Sequence, residues 1–177
     1  MRLTLLLLLI FATPLAAQSP DKTSPRLSYL ETGVICPPPS TGQAPAPGTV
    51  AGTTHLIDVE PPFISNARRV PAVLGIGFGA KAMTSDMFGL SDVKITVSHP
   101  PMGPDKTVQQ TFLSRIDAVE PSLTFYQFDF DYELVQGIWQ IEASQDGDIL
   151  YRTTFEVVAP EAMPELARIC GFENLLS

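Results

Sequence analysis

The chain has 177 residues, 17 of them proline, and charged residues make up 17% of it, compared with roughly 25% in an average domain. This length suits one domain, and so much proline argues against long helices. The formal net charge of −8 would repel phosphate backbones and anionic lipid headgroups, so we expect neither nucleic acid nor a membrane surface as a partner.

Residues 1–17 have the pattern of a secretion signal peptide. Arg2 precedes the apolar run Leu5–Ala12, and small residues lead to a cleavage point after Ala17. The run is shorter than half of the roughly 20 residues that a bilayer requires, so we expect no membrane span after cleavage. The mature protein is therefore predicted to be periplasmic or secreted, with a flexible leader over residues 18–26.

The next segments are a predicted strand at Leu27–Cys36 and a proline-rich loop over residues 37–52. Proline fixes φ and lacks a backbone donor, so we expect this loop to be extended and to act as a spacer. The alternative is a ligand for a proline-recognising module.

Further short strands, separated by turn residues, are predicted along the rest of the chain. They are Thr53–Val59, Val70–Ala82, Val93–Ser98, Thr107–Ile116, Leu123–Tyr132, Ile138–Ser144 and Ile149–Val158. Apolar and polar residues alternate in them, as at Tyr126, Phe128, Phe130 and Tyr132, so each strand has one apolar face. This pattern predicts an all-β fold, an antiparallel β-sandwich of about seven or eight strands.

The connection between the last two strands can be predicted from side-chain parity. A two-residue loop at Asp146-Gly147 would turn Trp139 away from the apolar face of the following strand. Adding Gln145 to the loop restores the parity. We therefore predict a three-residue loop with Gly147 in the left-handed region.

Beyond Pro160 the apolar period changes to that of a helix, since Met163, Leu166, Ala167 and Cys170 share one stripe. We predict a short C-terminal helix over about residues 161–170, which completes a single domain over residues 27–177. In an oxidising compartment we expect a disulfide bond between Cys36 and Cys170, the alternative being two unrelated buried thiols. The helix would then carry Cys170 back to Cys36 and cover an open sheet edge.

The segment Gly75–Ala80 matches the glycine spacing of a dinucleotide-binding loop. Such a loop opens a helix, whereas the apolar residues here alternate as in a strand, so we attribute the match to chance and expect no cofactor. The residues with structural roles are then glycines that set the backbone geometry and side chains of the core. The glycines are Gly75, Gly77, Gly79, Gly137 and Gly147, and the core side chains are Phe128, Phe130, Trp139, Tyr151 and Phe155. Phe78, in the glycine-rich strand, is also given a structural role.

The soft metal ligands are His99, Met102 and Met87, together with Met83 and His55. Imidazole and thioether groups are the ligands of copper carriers, so periplasmic copper binding through His99 and methionines is the alternative function. Their spacing matches no copper-carrier motif, and methionine is often core filler, so we expect no bound metal.

Asp129, Asp131 and Glu133 are expected on the outer face of the last strands, with Glu142, Asp146 and Asp148. Calcium or a basic partner could bind there, although such acids are commonly only solvated. Asp129, Asp131 and Glu133 are our candidate binding face. The sequence has no G-x-S-x-G elbow and no distinguishable carboxylate pair, so we predict no catalytic residues and no enzyme activity.

Several short motifs resemble a bacterial family called domain of unknown function 3859. They are Gly33, Ser40-Thr41-Gly42, Val70-Pro71, Gly75, Phe78-Gly79, His99-Pro100-Pro101, Tyr132–Trp139 and Phe155–Val157. The segment ending at Trp139 is the most specific, although Gln136 stands where proline is usual in the family. The resemblance covers residues 27–158 and implies an immunoglobulin-like sandwich in an exported protein, with no particular activity.

Taken together, the residues and the resemblance predict a monomeric, disulfide-closed immunoglobulin-like sandwich in the cell envelope. We expect a non-catalytic binding or accessory module for a protein partner. The partner would bind either the acidic face or the proline-rich loop.

Overall fold

The computed structural model describes residues 19–38 and 40–170, and the predicted signal peptide with its cleavage site lies outside them. The strands are β1 (Lys22–Thr23), β2 (Leu27–Ile35), β3 (Gly42–Pro45), β4 (Thr53–Leu56), β5 (Arg69–Pro71), β6 (Gly77–Thr84), β7 (Leu90–Met102), β8 (Thr107–Ile116), β9 (Ser122–Gln127), β10 (Gly137–Gln145) and β11 (Asp148–Val158). A short helix, α1 (Pro164–Ile169), follows them.

Two sheets form a sandwich. The larger sheet has the order β1-β11-β10-β7-β8, with β5 parallel to β11 on the same side as β1, and the smaller sheet has the order β2-β6-β9. Strands β3 and β4 pair as a separate hairpin. The predicted all-β antiparallel sandwich is confirmed, with more strands than the seven or eight expected, because β1, β3 and β5 were not anticipated as separate strands.

The predicted strand Val70–Ala82 is in fact two strands in different sheets. β5 lies beside β11 in the larger sheet, and β6 lies in the smaller one. Gly75 between them has a φ of +84°, a left-handed conformation that lets the chain change sheets at little steric cost. Because β6 is a strand, the glycine-rich segment lacks the helix that a dinucleotide-binding loop requires.

Two segments expected to be irregular are packed on sheet edges. Lys22–Thr23 pairs with β11, so the prediction of a flexible leader is wrong at these residues. The proline-rich loop forms β3 and then follows β8, where Thr111 N–H donates to the Gly48 carbonyl at 3.0 Å. A Cβ at Gly48 would lie 2.1 Å from the Thr111 carbonyl oxygen, so glycine permits this close approach. Both segments give edge strands a backbone partner, which unpaired edges otherwise lack.

The β10–β11 connection is a two-residue loop, and the predicted three-residue loop is wrong. Asp146 and Gly147 have φ values of +52° and +88°, as a type I′ turn requires. Parity is restored by a β-bulge in β11, where Leu150 is the extra residue. Trp139 therefore pairs with Phe155, and both side chains face the core.

The core lies between the sheets, around Phe78. Its ring centroid is 5.0 Å from that of Phe155, 5.6 Å from that of Phe128 and 5.8 Å from that of Trp139, and all four side chains are fully buried. Phe130 was predicted to be a core residue, but its side chain is 45% exposed. The prediction fails because β9 ends at Gln127, so the strand alternation does not continue to Phe130.

The predicted disulfide bond joins Cys36 to Cys170, with their Cα atoms 5.2 Å apart. Cys170 directly follows α1, in which Leu166 is buried against the core. This helix is shorter than predicted because a 3₁₀ turn over Pro160–Ala162 precedes it. Within residues 19–38 and 40–170, no helix has the length and apolar character that a bilayer span demands.

Candidate functional site

The predicted acidic face lies where β9 ends and the chain crosses to β10. Asp129 and Asp131 are exposed there. Glu133 is only 3% exposed, and its placement on the outer face is wrong. A 3₁₀ turn over Asp131–Glu133 replaces the predicted strand and turns this carboxylate inward.

The Glu133 carboxylate organises the backbone of this crossing. One oxygen accepts the backbone N–H groups of Asp129 at 2.6 Å and Phe130 at 3.0 Å, and the other accepts the Tyr126 hydroxyl at 2.6 Å. Burial raises the pKa of Glu133 above its ordinary value, while these three donors oppose that shift. The carboxylate therefore holds the ends of β9 and of the 3₁₀ turn together.

A chain of buried hydrogen bonds continues from Tyr126 towards the proline-rich loop. The Gln110 amide donates to the Tyr126 hydroxyl at 3.4 Å and lies 3.1 Å from His99 Nε2. The amide oxygen of Gln110 accepts the Val50 N–H at 2.7 Å. Each donor in this network has an acceptor beside it. The hydrogen bonds therefore link β7, β8, β9 and the proline-rich loop.

His99 belongs to this network and to the core. Its Nδ1 atom lies 2.8 Å from the Pro100 carbonyl, which can only accept, so Nδ1 carries the proton and Nε2 accepts from Gln110. The ring packs on Trp139 with a centroid distance of 4.7 Å. Burial lowers the pKa of His99, which favours the neutral ring that this pattern needs.

The predicted soft ligands are in different environments. Met102 is 2% exposed and packs in the core, whereas Met87 is 78% exposed in the β6–β7 loop. Both ring nitrogens of His99 have protein partners. In the part of the chain that the structure describes, no group of three or more His, Cys, Asp or Glu residues could hold a metal ion.

His55, Asp129 and Ser40 form a contact that the sequence did not indicate. His55 Nε2 lies 2.7 Å from Asp129 Oδ2, and Nδ1 lies 3.2 Å from Ser40 Oγ. The contact links the β3–β4 hairpin to the end of β9, across 74 residues of sequence. No local pattern marks it, because His55 and Asp129 lie in separate segments with unremarkable spacing.

A small cavity of about 60 Å³ lies between the hairpin and the two sheet edges. It is lined by Thr54, His55, Gln110, Tyr126, Gln127 and Glu133, among others. Ligand pockets usually measure roughly 300–1,000 Å³, so this space suits ordered water. The Gln127 side-chain oxygen, buried and without a hydrogen-bond partner among the described residues, is the group such water would satisfy.

An aromatic pair, the exposed Phe130 and the half-buried Tyr132, lies beside the acids. The rings of Phe130 and Tyr132 are stacked, with centroids 5.2 Å apart and planes at 7°. Asp129 and Asp131 alternate with these rings along the chain. Burial raises the pKa of the Tyr132 hydroxyl, and the negative charges of Glu133 and Asp129 raise it further. We call Asp129, Phe130, Asp131 and Tyr132 the aromatic ledge.

The predicted glycines mostly have identifiable reasons to be glycine. A Cβ at Gly79 would lie 2.1 Å from the Thr124 carbonyl oxygen of the neighbouring strand. Gly137 has a φ of +130°, and a Cβ there would also lie 2.9 Å from Pro100. These positions therefore serve the packing and backbone of the sandwich.

Two face-to-face, mainly antiparallel sheets around a core that contains a fully buried tryptophan define an immunoglobulin-like β-sandwich. A crystal structure of an immunoglobulin-like protein from Pseudomonas aeruginosa matches with a TM-score of 0.51 and 20% identity, over 81% of this chain and 100% of that chain. At this identity the likeness shows the fold alone. The chain belongs to the family described as a domain of unknown function, DUF3859, which matches residues 23–157, and the predicted family resemblance is confirmed. A search of curated proteins finds no match.

Proposed function

We propose that this protein is an exported, monomeric, non-catalytic module that binds a basic segment of a protein partner in the cell envelope. The aromatic ledge carries the proposal. Phe130 and Tyr132 offer ring surface, and Asp129 and Asp131 offer carboxylates beside it. Lysine and arginine side chains bind such surfaces through cation–π contacts and charge-assisted hydrogen bonds.

The ledge is preorganised by the buried Glu133 and the half-buried His55. Glu133 accepts the backbone N–H groups of Asp129 and Phe130, while His55 holds the Asp129 side chain. Little conformational entropy is then lost when a partner binds, so a larger part of the contact energy supports affinity. This argument also gives Glu133 a positioning role in place of the direct contact first predicted for it.

The Ser40–His55–Asp129 contact has the composition of a hydrolase triad, but its details favour a structural role. Ser40 Oγ lies 2.8 Å from the Gly42 carbonyl and accepts the Gly42 N–H at 3.4 Å. Such a serine closes its own turn. The possible acceptors for its single hydroxyl proton include the Gly42 carbonyl and His55 Nδ1, and the carbonyl is the nearer of the two. We therefore interpret His55 as a tie between the hairpin and the ledge.

Copper binding is the weaker proposal. It requires His99 and at least two methionines to converge on one ion. The His99 ring is instead engaged on both nitrogens, and the Met102 side chain is enclosed by the core.

The proposal is tested by quantitative capture from an envelope extract with the mature, oxidised protein. Asp131→Lys and Phe130→Ser should remove the partner that the wild type enriches, because they reverse a charge and delete a ring at the ledge. Asp105→Lys, in an exposed turn outside the ledge, is the matched charge control and should retain it. Equal capture by wild type and Asp131→Lys would refute the ledge as the binding surface.

A further inference from the structure

The end of the sandwich opposite the aromatic ledge exposes a second set of large apolar side chains. Met87 and Phe88 in the β6–β7 loop are 78% and 87% exposed, and Val119 in the β8–β9 loop is 84% exposed. We call these three residues the loop-end surface. Soluble monomers scatter single apolar residues over their surfaces, whereas a cluster of nearly fully exposed ones marks an interaction site.

The two loops are neighbours in the fold. Thr84 N–H at the end of β6 donates to the Asp117 carbonyl at 2.9 Å, and Leu90 at the start of β7 pairs with Ile116 at the end of β8. A Cβ at Gly89 would lie 3.0 Å from the Ile116 carbonyl oxygen. The three apolar side chains therefore project from one end of the molecule.

The β6–β7 loop is held by its own hydrogen bonds. Asp86 accepts the Phe88 N–H through its carboxylate at 3.1 Å and the Gly89 N–H through its carbonyl at 3.0 Å. The Ser85 N–H donates to the Arg26 carbonyl at 2.9 Å. Met87 and Phe88 are thus presented outward by a formed turn, and a partner need not order the loop before it binds.

Acidic residues surround this end. They are Asp86, Asp92, Asp117, Glu120, Asp146 and Asp148, with Arg26, Lys94 and Arg115 as the nearby bases. Arg115 is engaged with Asp117 and Arg26 with Gln145, and the acids outnumber the bases. The Gln145 side chain also reaches the Ser91 carbonyl, which places the β10–β11 turn beside the β6–β7 loop.

The negative charge around the loop-end surface distinguishes between the molecules that could bind there. A second copy would bring one acidic rim against another, and an anionic lipid surface would be repelled. A protein with an apolar pocket and a basic rim would be attracted, with Phe88 as the aromatic anchor.

We propose that the loop-end surface inserts into an apolar, basic-rimmed pocket of a second protein. The domain would then have one binding surface at each end, since the aromatic ledge lies where β9 ends and the loop-end surface lies where β9 begins. This inference does not depend on the ledge, because no residue is shared between the two surfaces.

The test uses the full chain, exported in cells, with a benzophenone amino acid in place of Phe88 and, as the control, in place of Val108, which is 52% exposed on β8. Irradiation should give an adduct with one protein at position 88 and not at position 108. The affinity of that purified protein should fall by at least about tenfold in Phe88→Ser, fall in Glu120→Lys, and stay unchanged in Val108→Ser and in Asp105→Lys.

Several results would overturn the inference. They are the absence of an adduct at position 88, equal affinity of Phe88→Ser and wild type, and binding to vesicles of phosphatidylcholine and phosphatidylglycerol that Phe88→Ser abolishes. A dimer in sedimentation velocity that Phe88→Ser dissociates would instead assign the surface to self-association. Loss of binding in Asp131→Lys alone would leave the ledge as the functional surface and refute this one.

Discussion

Glu133 illustrates how a single buried acid can position an exposed surface. Its carboxylate has three donors, so its burial is compensated and the loop that carries the ledge is held in one conformation. Burial nevertheless raises its pKa from the ordinary 4.5. The folded protein therefore binds this proton more tightly than the unfolded chain does.

The pH dependence of stability should report this acid. Because the folded pKa is the higher one, the free energy of unfolding contributed by Glu133 should fall as the pH rises from 4.5 through the folded pKa, and level off above it. Glu133→Gln should remove this slope. Urea unfolding at a series of pH values measures it.

Asp131→Asn is the matched control for that measurement. Asp131 is exposed and lies in the same turn, so its replacement should leave the slope in place. If Glu133→Gln keeps the same slope as the wild type, the carboxylate does not titrate as its burial implies.

Gly79 shows the opposite case, in which the absence of a side chain is the requirement. A Cβ there would lie 2.1 Å from the Thr124 carbonyl oxygen and 2.6 Å from Phe125 Cα. Gly79→Ala should push β9 away from β6 and reduce the free energy of unfolding by about 1–3 kcal/mol or more. Denaturant unfolding with fluorescence detection measures the loss.

Gly52→Ala provides the comparison. Within the described part of the chain, no atom lies within 4 Å of a Cβ at Gly52, although its φ is +71°. Only the backbone penalty of about 1 kcal/mol is expected there. An equal or smaller loss in Gly79→Ala would contradict the steric account.

Among the elements, α1 has a role larger than its length suggests. Its six residues are too few to be stable alone, but Leu166 packs on the core and Cys170 joins the helix end to Cys36. The disulfide therefore holds the end of α1 against the smaller sheet.

Removing this bond should destabilise the domain strongly. The bond closes 134 residues, and Cys36→Ser with Cys170→Ser should lower the free energy of unfolding by about 2–5 kcal/mol. The main cause is the larger conformational entropy of an uncrosslinked unfolded chain. Denaturant unfolding of the variant, and of the wild type under reductant, should agree; an unchanged midpoint in both would disprove the role of the bond.

At the scale of the whole molecule, the acid excess and the two exposed surfaces are consistent with an adaptor between protein partners. The proposed role assumes an exported protein with an oxidised, compact domain. Both surfaces would then act in an oxidising compartment, where the disulfide persists.

Export and oxidation can be measured together by mass spectrometry of the protein recovered from the exporting cell. We expect a monomer that begins at Gln18 and is lighter by two hydrogen atoms than its reduced form, because one disulfide has formed. Native spectra without chelator should show no additional mass that leaves on denaturation. Retention of Met1, or bound copper, would contradict export or the binding proposal respectively.

The sandwich class, the disulfide partners and the core residues Phe128, Trp139, Tyr151 and Phe155 can be predicted from the sequence. The class and the core follow from alternation with a period of two, which is a local property set by side-chain polarity. The disulfide partners follow because the chain has two cysteines. Local alternation gives wrong predictions where the backbone departs from a strand. It therefore placed Phe130 in the core and Glu133 on the surface, whereas Phe130 is exposed and Glu133 is buried.

Features that depend on contacts between distant segments could not be predicted from the sequence and became evident in the assembled fold. They are the bulge at Leu150, which makes the predicted three-residue loop unnecessary, the contact between His55 and Asp129, and the proximity of the β6–β7 and β8–β9 loops. Buried and edge backbone groups must find partners wherever the fold supplies them. Such pairing is settled by the assembled sheets, and it leaves no periodic trace in the sequence.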